Sequence, residues 1–189
     1  MANFIAVYDA CVLYPAPLRD LLVRLATKGM FRAKWTDTIH DEWTRNLLAN
    51  RPDLKPEQLN RTRVLMNTHV QDSLVTGFES LIPALNLPDE DDRHVLAAAI
   101  RSNANVIVTF NLSDFPASAL DPYSVEAQHP DEFLTNLLDL QPWTFCKVVR
   151  EQREDLRNPT QTALELLETL EKQGLPVTVA RLREMSDLL

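Results

Sequence analysis

The chain alternates short apolar runs with stretches whose apolar positions recur three and four residues apart. Residues 3–8, NFIAVY, are a continuous apolar run of strand length, closed by Asp9. Pro15 and Pro17 open a helix over Leu18–Thr27, with Leu18, Leu21, Leu22 and Leu25 on one face and Gly29 as its stop. Phe31–Trp35 reads as a second strand. Thr36 or Asp37 then caps a helix reaching Asn50, whose stripe is Ile39, Trp43, Leu47 and Leu48. Leu54–Val70 is a polar helix with Leu59, Val64 and Leu65 as sparse anchors, and Ser80–Leu87 a short strand-like piece punctuated by Pro83 and Pro88.

The stretch Leu87–Phe115 organises the rest. An acidic start, Asp89-Glu90-Asp91-Asp92, leads into an apolar helix. A turn at residues 103–105 follows, then a buried strand, Val106–Thr109, and a polar loop with Asn111 and Asp114. Tyr123–Gln128 is a last strand. Pro130 opens a helix with Phe133, Leu134, Leu137 and Leu138 on its apolar side. Three helical segments close the chain: Trp143–Arg157, Gln161–Lys172 with Ala163, Leu164, Leu167 and Leu170 as its stripe, and Val177–Leu188. Strands alternating with helices of this length predict a three-layer α/β/α fold around a central, mainly parallel sheet. The expected division is a first unit over residues 1–141 and a helical appendage over 142–189.

Composition narrows the setting. A chain of 189 residues, 45% hydrophobic, can bury a full core. No apolar run approaches the roughly 18 residues of a membrane span. The first residues carry Asp9 inside their apolar run and no basic leader, unlike a secretion signal. Two cysteines, Cys11 and Cys146, are too few for a disulfide framework or a zinc site. A cytoplasmic protein is expected. The net charge of −8 argues against broad attraction to nucleic acid, but not against a nuclease whose carboxylates bind cations.

The candidate chemistry lies in carboxylates at strand ends. Asp9 follows the first strand, and ligands of open α/β sheets bind outside the carboxyl ends of strands. Glu42 adjoins the buried stripe of its helix. Asp92 shares a face with Leu96 and Ala99. The acids at 89–91 suit helix capping and the helix dipole, with Asp91 an outer helper. Carboxylates gathered at one end of a sheet are costly without a cation, and hard oxygen donors suit Mg²⁺. Arg45 offers either a phosphate contact or a surface pair with Asp41, and Arg93 is balanced in the same way. His40 and His94 read as packed or solvated residues.

Four pieces taken in order carry a resemblance: FIAVYDACVLYP around Asp9, TIHDEWTRNLL around Glu42, DDRHVLAAAI around Asp92, and VIVTFNLSDFP. The chain resembles the PIN-domain ribonucleases, in particular the VapC-type toxins of prokaryotic toxin–antitoxin pairs. HPDEFLTNLL is similar to the family's last helix, so the resemblance covers Met1 to Leu140, and the later helices are an appendage seen in some members. It implies a Mg²⁺- or Mn²⁺-dependent endoribonuclease that leaves 5′-phosphate ends. Asp9, Glu42 and Asp92 match the acidic triad. The fourth acid falls at or near Asn111, an amide here, with Asp114 three residues on. Thr109 matches the family's hydroxyl residue, and Arg45, Arg93 and Thr109 are its RNA-side candidates. The resemblance also implies an antitoxin lying over the cleft, and a homodimer. Two rivals stand beside it. A haloacid-dehalogenase-type phosphatase needs an Asp where this chain has Cys11. A catalytically weak or inactive PIN-like scaffold, binding a protein partner, is the reading that Asn111 keeps open.

Overall fold

The computed structural model describes residues 4–189, so Asn3, placed in the first strand above, lies outside the described residues. Strand β1 (Ile5–Tyr8) buries Ala6, Val7 and Tyr8 completely, as a parallel strand covered on both faces requires. β2 (Arg32–Lys34) and β3 (Val106–Val108) flank it in parallel, and β4 (Glu126–Gln128) pairs in parallel with β3, giving the order β2-β1-β3-β4. Helices α1 (Ala10–Leu13) and α2 (Ala16–Thr27) join β1 to β2. Helices α3 (Asp37–Asn50), α4 (Pro56–His69) and α5 (Arg93–Arg101) join β2 to β3, and α6 (Ala117–Leu120) lies before β4. Then come α7 (Pro130–Leu140), α8 (Pro142–Asp155), α9 (Ala163–Lys172) and α10 (Pro176–Glu184).

The chain steps outward from β1 to β2, then crosses back over β1 to reach β3. Right-handed crossovers in opposite directions put their helices on opposite faces of the sheet. Accordingly α2 packs beside β2, while α5 lies over β1 and β3. The expected α/β/α arrangement with a parallel sheet is the fold observed. Its topological switch point falls between β1 and β3, at the carboxyl ends of both.

Local chemistry sets the helix ends that matter. Gly29, at φ +73°, donates to Ala26 O, and Met30 donates to Leu25 O, a Schellman turn that ends α2 and aims the chain into β2. The Thr36 hydroxyl accepts from Ile39 N at 3.1 Å and starts α3. Behind it, Trp43 Nε1 donates to His40 Nδ1 at 3.0 Å, which leaves the proton on Nε2, 3.1 Å from Asn67 Oδ1. That oxygen also accepts from Trp35 Nε1 at 2.7 Å, so one amide of α4 ties the sheet edge to α3. His40 is fully buried, and that burial lowers its pKa. It is a packed residue.

Three elements differ from the expectation. Residues 79–84 form a 3₁₀ turn, not a strand, because Pro83 has no N–H to give a ladder and Ile82 O accepts from Leu85 N instead. Beyond β2 the sheet is extended by residues 73–75, where Trp35 bridges Leu74. In α4 the anchors are Leu59 and Met66, whereas Val64 and Leu65 are exposed. In α9 the buried stripe is Leu166, Leu167 and Leu170, and Leu164 faces solvent. Both slips arise because sparse apolar positions on a charged helix fit more than one face. No helix among the described residues is long and apolar enough to cross a membrane.

The later helices share the core of the sheet. α8 lies along α2 and α7, and α10 packs on α7 and α9. The seam is held by one carboxylate. Asp131, in the first turn of α7 and 6% exposed, accepts from Val177 N (2.9 Å), Thr178 N (2.8 Å) and the Thr178 hydroxyl (2.7 Å). It thereby caps the free amides at the start of α10 from another helix. Asp131→Ala leaves those donors buried and unpaired, so urea unfolding should show a loss of about 1–3 kcal/mol. Asp131→Asn, which keeps one acceptor oxygen, should lose less; equal losses would show that the clasp contributes only packing.

Candidate active site

Asp9 leaves the carboxyl end of β1 and is only 4% exposed. Its amide donates to Val108 O at 3.1 Å, which continues the β1–β3 pairing to the switch point. The Thr109 hydroxyl donates to Asp9 Oδ2 at 2.7 Å, and the Cys11 thiol donates to the same oxygen at 3.0 Å. Cys11 Sγ also accepts from Phe110 N at 3.3 Å, so the thiol spans both strand ends. Burial, and then the Asp9 charge, push the Cys11 pKa well up, which keeps it a neutral donor.

Glu42 stands on α3 beside fully buried Trp43, and its Oε1 lies 2.9 Å from His94 Nε2 on α5. Asp92 sits half-buried just before α5, with no capping bond of its own. Burial first, then the charges of Asp9, Asp89 and Asp114, push its pKa up to about 7. Its neighbours divide the remaining work: Asp89 Oδ1 accepts from Asp91 N, Glu90 pairs with Arg93, and Asp91 is exposed.

Asp9, Glu42, Asp92 and Asn111 line one cleft of about 420 Å³ with Cys11, Arg45 and Asn46. Asp114 does not line it, although its charge reaches Asp92. Thr109 is completely buried behind Asp9, so its hydroxyl faces a carboxylate and not a substrate. Arg93 is held by Glu90 at 2.8 Å, away from the cleft lining. Arg45 lines the cleft without an ion pair among the described residues, because Asp41 is taken by Arg63 at 2.6 Å. A larger cavity of about 740 Å³ lies between α2, α4, α8 and α9, and none of the candidate acids faces it. The smaller cleft is the one lined by the candidate acids.

Reading the sequence missed Cys11, Tyr14, Asn46 and Asn50 as cleft residues. For the two amides a signal existed, since they follow Glu42 at helical spacings of four and eight. For Cys11 none did, because its contacts come from a strand about a hundred residues away.

A parallel α/β sheet with an acidic cleft at its switch point is the architecture of a PIN domain. Residues 6–113 match the family model for the PIN domain, and the chain belongs to that family. Residues 130–184 match the model described as the VapC50 C-terminal domain. Over 109 residues the chain is 42% identical to "Putative ribonuclease VapC50" of Mycobacterium tuberculosis (strain ATCC 25618 / H37Rv). That alignment covers 58% of this chain and 63% of the relative, less than two thirds of its length. No solved structure matches.

The donor set fits a divalent cation. Its oxygens are hard, and the Asp92 pKa is raised by burial first and then by the neighbouring acids, against a smaller opposing effect of His94. Among the described residues no three His, Cys, Asp or Glu side chains are grouped closely enough to hold a metal ion by themselves. Two consequences are measurable. Without cation, the native state holds a proton on Asp92 more tightly than the unfolded chain, whose Asp titrates at about 3.9. Stability from this group is therefore present at low pH and lost as pH rises towards about 7. Asp92→Asn should flatten that slope in urea melts. Mn²⁺ at about a hundredfold above its Kd should stabilise the wild type by about 2.7 kcal/mol and the variant by less.

Proposed function

We propose that this protein is a metal-dependent endoribonuclease acting as the toxin of a type II toxin–antitoxin pair. The observation that carries the reading is the single cleft lined by Asp9, Glu42, Asp92 and Asn111 at the sheet's switch point. The relative's name supports the substrate class, RNA. In this reading Asp9, Glu42 and Asp92 hold Mg²⁺ or Mn²⁺, Asn111 adds a neutral oxygen, and Asp114 contributes charge from behind. Residues 1–141 form the nuclease unit and 142–189 its helical addition, with α7 as the shared seam. The protein works in the cytoplasm as a homodimer, and a cognate antitoxin covers the cleft.

The roles of the chain's own groups follow from their contacts. Thr109 and Cys11 pin Asp9 Oδ2 and leave Oδ1 to the cleft. His94 Nε2 stands 2.9 Å from one Glu42 oxygen. Arg45 is the cation free to take a non-bridging phosphate oxygen. The chemistry supplied by a bound Mg²⁺ or Mn²⁺ is Lewis acidity toward the phosphate and activation of water at neutral pH. Water adds at phosphorus, the bond to the 3′ oxygen breaks, and that oxygen takes a proton. The products are a 3′-hydroxyl and a 5′-phosphate.

Asn111 supports a second reading, a PIN-like scaffold that binds a partner without cutting RNA, because an amide stands where a fourth carboxylate is expected. One comparison separates the two. Wild type should cleave RNA with Mn²⁺ and lose cleavage with EDTA, while Asp9→Asn should lose at least about a hundredfold with an unchanged unfolding midpoint. Wild type inert with every divalent cation would favour the scaffold. Full activity in Asp9→Asn would overturn the site assignment.

A further inference from the structure

The carboxylates are only part of the cleft lining. Tyr14, Arg45, Asn46 and Asn50, which are neutral or basic, line it as well. Glu42, Asn46 and Asn50 are spaced four residues apart on α3, so they share one face and span about 12 Å along the helix. Tyr14, directly after α1, lines the same cleft. Exposed asparagines on a helix ordinarily do no more than face water. These two instead line the cleft that Asp9, Glu42, Asp92 and Tyr14 also line.

The wall is also braced. Arg19 donates to Leu13 O at 2.5 Å and to Tyr14 O at 3.3 Å, while its guanidinium lies 4.5 Å from the centre of the Trp43 ring on α3. One cation therefore fixes the backbone of Tyr14 against the helix that carries the asparagines. Among the described residues the Tyr14 phenol and the side-chain amides of Asn46 and Asn50 make no hydrogen bonds. An aromatic face offers stacking to any base, and an amide offers both a donor and an acceptor to a base edge.

We propose that Tyr14, Asn46 and Asn50 form a subsite for one unpaired nucleotide of the RNA, next to the phosphate held by Arg45. Tyr14 stacks on the base, and the two amides discriminate among bases. A base splayed out of a single strand offers its face and edges to such residues, whereas a base stacked in a duplex does not. The subsite rests on the ribonuclease reading, and it deepens that reading by naming specificity-determining residues.

The test separates binding from cutting. Short single-stranded oligoribonucleotides that differ at one base are titrated by fluorescence anisotropy into Asp9→Asn protein in Mg²⁺ buffer. Tyr14→Ala added to that background should weaken binding of all four by about tenfold, and Tyr14→Phe should not. Asn46→Ala and Asn50→Ala should flatten the preference among bases by about tenfold. On the otherwise wild-type chain the same changes should shift KM or cleavage preference and leave Mn²⁺ affinity, read by electron paramagnetic resonance, unchanged. If wild type cuts RNA and the three alanine variants keep its affinity and preference, the subsite is wrong and the activity stands. If wild type cuts nothing but single strands bind and Tyr14→Ala releases them, the activity is wrong and the subsite stands. Equal binding of duplex RNA would overturn the subsite.

Discussion

The buried carboxylate of Asp9 is the constraint around which the molecule is arranged. It sits at the point where the chain reverses its direction across the sheet, so strand ends on both sides can reach it. Thr109 and Cys11 donate to one of its oxygens from those two ends. A fixed negative charge in that place would be poorly tolerated alone, yet Glu42 and Asp92 are brought beside it. The crowding is visible in Asp92, whose carboxyl is held up to about 7 by burial and by its acidic neighbours. Such a site stores repulsion among its carboxylates.

The helices after β4 do not form a detached tail. α8 lies on α2 through Gln152, which donates to Pro17 O, and through the Lys28–Glu151 and Arg24–Asp155 pairs. α10 is docked by Asp131, a residue of the last helix that flanks the sheet. Exposed ion pairs of this kind contribute little each. The buried carboxylate and the continuous apolar core make the attachment, so the stability of the addition and that of the sheet are expected to be coupled.

Much of the fold was legible in the chain because its signals are local. The apolar runs IAVY and VIV mark buried parallel strands by composition alone, and Thr36, Gly29 and Pro130 mark helix ends by fixed backbone chemistry. Where the signal was weak the reading slipped. Ser80–Leu87 carries strand-like residues, but Pro83 denies it a ladder, and the face of α9 was assigned to Leu164 when Leu166 is the buried one. The site divides in the same way. An acid after a strand is readable; which arginine reaches the cleft is not. Arg93 and Arg45 have similar sequence surroundings, and only the presence of Glu90 and Arg63 separates their fates.

The sequence by itself determined the periodicities, the caps, the parallel α/β class and the candidate acids, since each depends on residues within a turn or two of one another. Tertiary structure alone decided that Cys11 and Thr109 share one oxygen of Asp9, that Asn111 and not Asp114 lines the cleft, and that Tyr14 lines it together with Asn46 and Asn50. These are contacts between segments far apart in the chain. They are set by the strand order and by how closely α3 and α5 approach the sheet, and no local pattern carries that information.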